Sequence, residues 1–117
     1  MYEYKIPPID PECGVTITQH VMGAKWKPYL INCMTQGVHR PAEFWRAIKG
    51  ATRRVLAQQL SEMESVGIVR RIVYDTVPMK TEYFLTDLGE SLVPIIRMMD
   101  AWGNEHRSMF DRMGNLR

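Results

Sequence analysis

Arg53, Arg54, Gln58 and Gln59 fall within seven consecutive residues. Arginine and glutamine are the side chains that hydrogen-bond the edges of guanine and adenine in pairs. Thr52 precedes them as a candidate helix N-cap, and a helix N-terminus turns free N–H groups and partial positive charge toward phosphate. Basic residues gather around the same stretch. Residues 40–80 carry eight lysines and arginines against four acids, a net of +4, whereas residues 81–117 net −2 and the first 39 balance. A basic middle is the footprint of a phosphate-binding surface, and its plain alternative is a solvated charged face. On the first reading Arg53, Arg54 and Gln58 face bases, with Ala57 beside them. Thr52 is better placed for the backbone, and Arg40, Lys49, Arg70, Arg71 and Lys80 meet phosphates or the minor groove. For Arg70 and Arg71 the alternative is that one of them lies on the solvent face of its strand.

Cys13 is the second reactive candidate. It stands where an apolar, helix-spaced segment begins, and helix N-termini stabilise the thiolate, the reactive form of the thiol. Asp10 and Glu12 lie close in sequence and oppose that ionisation. The structural alternative is a small side chain packing the first helix. Cys33 falls on the apolar face of the second helix and reads as an inert core thiol. His20, His39 and His106 show no metal-ligand spacing with either cysteine. The phosphate-cradling, nucleophile-elbow and zinc-protease motifs are all missing, so no enzyme, cofactor or metal is expected.

These residues sit in a chain of 117 residues with 15 basic and 13 acidic side chains, a formal charge of +2. That length suits one domain with a single core. The composition, 45% hydrophobic and 24% charged, is that of a globular protein. No run without Asp, Glu, Lys or Arg exceeds twelve residues, well short of the roughly 20 that a membrane helix needs. With no secretory signal in residues 1–12, the two cysteines are expected reduced in a cytoplasm.

The elements that must position the candidates follow from periodicity and punctuation. Pro7, Pro8 and Pro11 make residues 1–12 an N-terminal arm, and residues 13–117 form the domain. A short helix over 13–22 ends at Gly23, and a second over 25–36 ends at Gly37, with Trp26, Leu30 and Cys33 or Met34 on one face. Arg40-Pro41 opens a third helix with Phe44, Ala47 and Ile48 as its stripe. A turn at Lys49-Gly50-Ala51 leads to a fourth helix over 52–66, with Val55 or Leu56, Leu60 and Met63 inward. Two short helices about a tight glycine turn are a helix-turn-helix. Strands over 68–74 and 81–85 around a turn at 75–78 add a β-hairpin wing. Thr86 then caps a long helix whose stripe is Leu88, Leu92, Ile95, Met99, Trp102, His106, Met109 and Met113. Such a stripe is longer than a monomer of this size needs. Val15, Leu92, Ile95, Met99, Trp102, Met109, Phe110 and Met113 are therefore the expected homodimer interface. The fold class is mainly α with a small hairpin wing: a winged helix-turn-helix with a long C-terminal dimerisation helix.

Several segments in this order resemble the HxlR family of bacterial winged-helix regulators, relatives of the MarR group. They are Cys13, Gly23-Ala24-Lys25-Trp26, Leu56-Ala57-Gln58-Gln59-Leu60 with Glu64 and Gly67, and Pro78-Met79-Lys80-Thr81-Glu82-Tyr83-Phe84-Leu85-Thr86-Asp87-Leu88-Gly89. The resemblance runs from residue 13 to about residue 102. It implies a cytoplasmic, nucleoid-associated homodimer that binds pseudo-palindromic double-stranded DNA through the second helix of each helix-turn-helix, with repression the expected outcome. It also implies redox or electrophile sensing at Cys13, as in some members. Ala57 stands where a threonine is common in the family, and Pro41, Trp45 and Lys49 also depart from its pattern. Two rival readings are a winged helix that binds proteins, which would expose apolar or acidic residues on the 52–66 helix, and a regulator answering a small-molecule inducer without thiol chemistry.

Overall fold

The computed structural model describes residues 12–112. The expected arm, except Glu12, and Met113 of the expected stripe lie outside them. Two short helices come first, α1 (Gly14–Met22) and α2 (Lys27–Thr35). Pro28 is accommodated in the first turn of α2, where its missing N–H costs nothing. Gly37 follows with φ +86°, the left-handed conformation in which glycine relieves the strain a Cβ would bring.

Helix α3 (Pro41–Ala47) begins at its proline, as expected. The Arg40 N–H donates to Glu43 Oε1 at 3.3 Å and closes the N-terminus. Phe44 and Ile48 are buried, but Ala47 is exposed and is not part of the inward stripe. The turn to α4 (Arg53–Ser65) passes through Gly50 at φ +93°. Thr52 caps α4 by accepting the Val55 N–H on its hydroxyl at 3.1 Å. Leu56, Leu60 and Met63 form the buried side of α4, and Val55 is half-buried.

Strands β1 (Val69–Tyr74) and β2 (Lys80–Leu85) pair antiparallel, with Arg70 opposite Phe84 and Arg71 opposite Tyr83. The chain before α3 joins this hairpin, because the Tyr83 N–H donates to the His39 carbonyl at 2.8 Å. The wing is thereby tied to the helix-turn-helix. Its other end is held by Thr86, whose hydroxyl donates to the Gly67 carbonyl at 2.6 Å.

The long C-terminal helix is present, in sections: α5 (Asp87–Glu90), α6 (Val93–Glu105) and α7 (Arg107–Arg112). Pro94 explains the first break. It lacks an N–H and fits only a first turn, so the helix restarts at Val93. Val93 and Ile96, outside the expected stripe, are the residues of α6 that enter the core. Leu92 packs half-buried against that core, whereas Leu88 is exposed. At the centre, α2 packs against α3, α4, α6 and β2 through Leu30, Ile31 and Met34. Each fully buried side chain of this kind contributes about 1.5–3 kcal/mol.

Candidate nucleic-acid interface

The core fixes one side of α4, and the opposite side is open. Arg54, Ala57 and Gln58 are exposed in its first half. Spacings of three and four put these three side chains on a common face. Arg53 is also exposed, and its guanidinium lies over the Trp45 ring of α3, 4.7 Å from the centroid. The Thr52 hydroxyl accepts the Val55 N–H, and its own exposed O–H is left to donate. Gln59 differs from its neighbour Gln58. It is half-buried, and its Oε1 accepts the Trp26 N–H at 3.0 Å, so it faces α2 and not the open side.

The wing separates its two arginines. Successive strand residues point to opposite faces, which puts Arg70, Tyr74, Lys80, Glu82 and Phe84 on one face and Arg71 with Tyr83 on the other. Arg70 lies 5.9 Å from the Phe84 centroid, and His39 stacks on the same ring at 4.3 Å. Lys80 Nζ sits over Tyr74 at 5.1 Å. Glu82 links this face to α3: Arg40 Nε is 3.8 Å from its Oε2. A hydrogen bond from the Tyr74 hydroxyl to Glu82 raises the Tyr74 pKa. Arg40, Arg70 and Lys80 therefore share one side of the wing. Arg71 is exposed at the rear beside Tyr83, whose hydroxyl is pushed to a higher pKa mainly by burial. Lys49 stands exposed in the turn before α4.

Cys13 occupies the N-cap position of α1 and is partly buried. It makes no capping hydrogen bond of ordinary geometry. The adjacent Thr16 hydroxyl, and then the Thr16 N–H, favour the thiolate and lower the thiol pKa. Cys33 is buried, and burial pushes its thiol up. No cluster of three metal-ligating side chains occurs among the described residues.

A second surface lies across α1 and α6. Val15 is 76% exposed, Met98 73% and Trp102 57%, with Ile95, Met99 and Met109 also open. Phe110 is half-buried, its ring 6.2 Å from that of Trp102. Val15, Met22, Pro28 and Met99 line an open groove of about 770 Å³ between the two helices. Met98, not expected on this face, shares it because it lies three residues after Ile95 and four before Trp102 on α6.

Gln59, the Lys27–Glu62 pair and the Trp45 platform are the features that sequence reasoning missed. All three depend on contacts between helices, which no spacing along one helix reveals.

The sequence model of the HxlR-like helix-turn-helix family matches residues 21–110. Cys13 falls outside that match. The HTH-type transcriptional regulator YybR of Bacillus subtilis (strain 168) is 43% identical over 99 residues, spanning 85% of this chain and 79% of YybR. The redox regulator HypR in its reduced form is 42% identical, with a TM-score of 0.79, over 86% of this chain and 99% of HypR. Its oxidised form is 45% identical, with a TM-score of 0.76, over 80% and 96%. No described helix is long and apolar enough to cross a membrane. The open arginine–glutamine face, the attached wing and these similarities describe a DNA-binding transcriptional regulator and not an enzyme. The chain belongs to the HxlR-like helix-turn-helix family.

Proposed function

We propose that this protein is a cytoplasmic repressor that binds a pseudo-palindromic operator as a homodimer, reading each half-site with α4. The observation that carries the reading is the exposed face of Arg54, Ala57 and Gln58 beside the capped N-terminus of α4, opposite its buried stripe. Arg53, Arg54 and Gln58 contact bases, and Arg40, Lys49, Arg70 and Lys80 hold phosphates or the minor groove. Arg71, at the rear of the wing, has a lesser part. The homodimer forms through α1 and α6, whose apolar side chains are left open in one chain. Two-fold symmetry then sets the reading helices about 34 Å apart, one turn of DNA.

The signal acts at Cys13. Support comes from its partly open position at a helix N-terminus, from the lowering of its thiol pKa by the nearby Thr16, and from the similarity to a redox regulator. An electrophilic quinone or aldehyde forms a bond with the thiolate sulfur. Alternatively a two-electron oxidant such as diamide joins it to a second thiol, that of another copy of Cys13 or a small thiol, as a disulfide, or a peroxide oxidises it to sulfenic acid. Because α1 lies in the dimer face, the modification alters the spacing of the two α4 helices. Selection of bound duplexes from a random pool tests DNA reading, with enrichment of an inverted repeat expected. Release of that operator by diamide or a quinone from wild type but not from Cys13→Ser tests the signal. Equal release from both proteins, or from neither, removes the thiol from the mechanism.

A further inference from the structure

Lys27 is 2% exposed, at the first position of α2, and its Nζ is 2.8 Å from Glu62 Oε2 of α4. A cation there opposes the partial positive charge of the helix N-terminus, and burying two charges carries a large desolvation cost. Glu62 offsets both. One turn away on α4, Gln59 accepts the Trp26 N–H, an N–H that the start of α2 cannot satisfy within its own helix. Two polar ties thus join Gln59 and Glu62, three residues apart on one side of α4, to the adjacent residues Trp26 and Lys27.

We propose that Gln59 and the Lys27–Glu62 pair are positioning residues for DNA reading: they set the angle at which α4 presents Arg54 and Gln58. The inference rests on the DNA-reading function proposed above. The apolar contacts of α4, through Leu56, Leu60 and Met63, are non-directional and tolerate a helix that slides or rolls. A hydrogen bond and an ion pair depend on distance and angle, so together they select one seating. Both ties anchor α4 to the residues that open α2.

The test uses the full chain and the operator selected by the wild-type protein. In Lys27→Met/Glu62→Leu the pair becomes apolar at similar volume, an exchange that is often neutral or stabilising. The expected result is an unchanged or raised Tm, operator affinity lower by roughly ten- to hundredfold, and random-duplex binding within about twofold of wild type. Gln59→Met, a single change at a half-buried site, is expected to show the same selective loss and decides the matter if the double variant does not fold. Wild-type operator affinity in the folded variants overturns the proposal. An equal loss on operator and random duplex overturns it as well, because that pattern is general damage. If wild type selects no sequence from the pool, the DNA-reading function itself fails, separately from the positioning role.

Discussion

The Arg53 guanidinium rests on the indole of Trp45, 4.7 Å from the ring centroid, so the first residue of α4 is braced by a residue of α3. A guanidinium stacked by its face keeps its N–H edge for a guanine or a phosphate. Arg53→Lys retains the charge but loses the planar fork, and operator affinity is expected to fall by about 1–3 kcal/mol. Trp45→Leu is expected to cost less operator affinity, about 0.5–1 kcal/mol, because it keeps an apolar side chain against the core and loses the brace on Arg53. Anisotropy titrations on labelled operator measure both. A lysine variant that binds like wild type would show that Arg53 makes no directional contact.

On the proposed function, Arg54 reads bases and Lys80 holds phosphate, and the two can be told apart. Arg54→Ala is expected to cost about 1–3 kcal/mol on the operator and to broaden the selected sequence. Lys80→Ala is expected to weaken every duplex alike and to reduce the slope of log affinity against log salt by about one. Sequence selection and salt titration of both variants check this. Unchanged affinity and specificity in Arg54→Ala would displace the reading face from α4.

The cap of α4 and the close approach of α5 to Ile68 are two sites where single changes should lower stability. Thr52→Ala removes the acceptor of the Val55 N–H and is expected to lower stability by about 1 kcal/mol. Gly89→Ala is expected to be worse, because its Cβ would lie 2.0 Å from the Ile68 carbonyl oxygen, a backbone atom that cannot turn aside. Urea unfolding followed by circular dichroism ranks the two. A Gly89→Ala protein as stable as wild type would contradict the packing of α5 beneath Ile68.

Local chemistry made much of this fold legible. Pro41, the Thr52 cap and Gly67 at φ +84° punctuate the chain where their covalent constraints act, within one turn. The exposed and buried sides of α4 were legible for the same reason, since three- and four-residue spacing opposes Arg54 and Gln58 to Leu56, Leu60 and Met63. Pro94 broke the regular stripe of the C-terminal helix because its missing N–H outweighed the apolar period. Gln59 looks like Gln58 in sequence, and only the arrival of Trp26 from another helix distinguishes them. Lys27 and Glu62 lie 35 residues apart, and no pattern along either helix announces their pairing.

The two thiols should react at different rates. The nearby Thr16 lowers the Cys13 thiol pKa, so its alkylation by iodoacetamide should follow a pH midpoint below that of a free thiol. Below that midpoint the thiol is protonated and slow, and above it the rate levels off. Thr16→Val removes the hydroxyl and should move the midpoint upward. Cys33, buried and shifted the other way, should react only after unfolding. Mass spectrometry of native protein across a pH series distinguishes the sites. Faster labelling at Cys33 than at Cys13 would reverse the assignment.

Trp102 offers the sharpest test of the dimer. Its indole stacks on His106 at 4.4 Å and remains 57% exposed, among Met98, Met99 and Met109 on the open side of the C-terminal helices. Large, rigid aromatics at the centre of such a face dominate association energies. The buried residues of α6, Val93 and Ile96, lie on its other side, so a change at Trp102 leaves the core of one chain intact. Trp102→Glu places a charge where the partner is expected, and desolvating an unpaired carboxylate costs several kcal/mol. Sedimentation should find wild type dimeric at micromolar concentration and Trp102→Glu monomeric with a native circular dichroism spectrum. The monomer should also bind a full inverted repeat no better than a half-site, because two linked reading helices raise affinity only when both can engage. A wild-type chain that sediments as a monomer would leave the α1–α6 face without its proposed occupant, and a Trp102→Glu protein that remains dimeric would move the interface elsewhere.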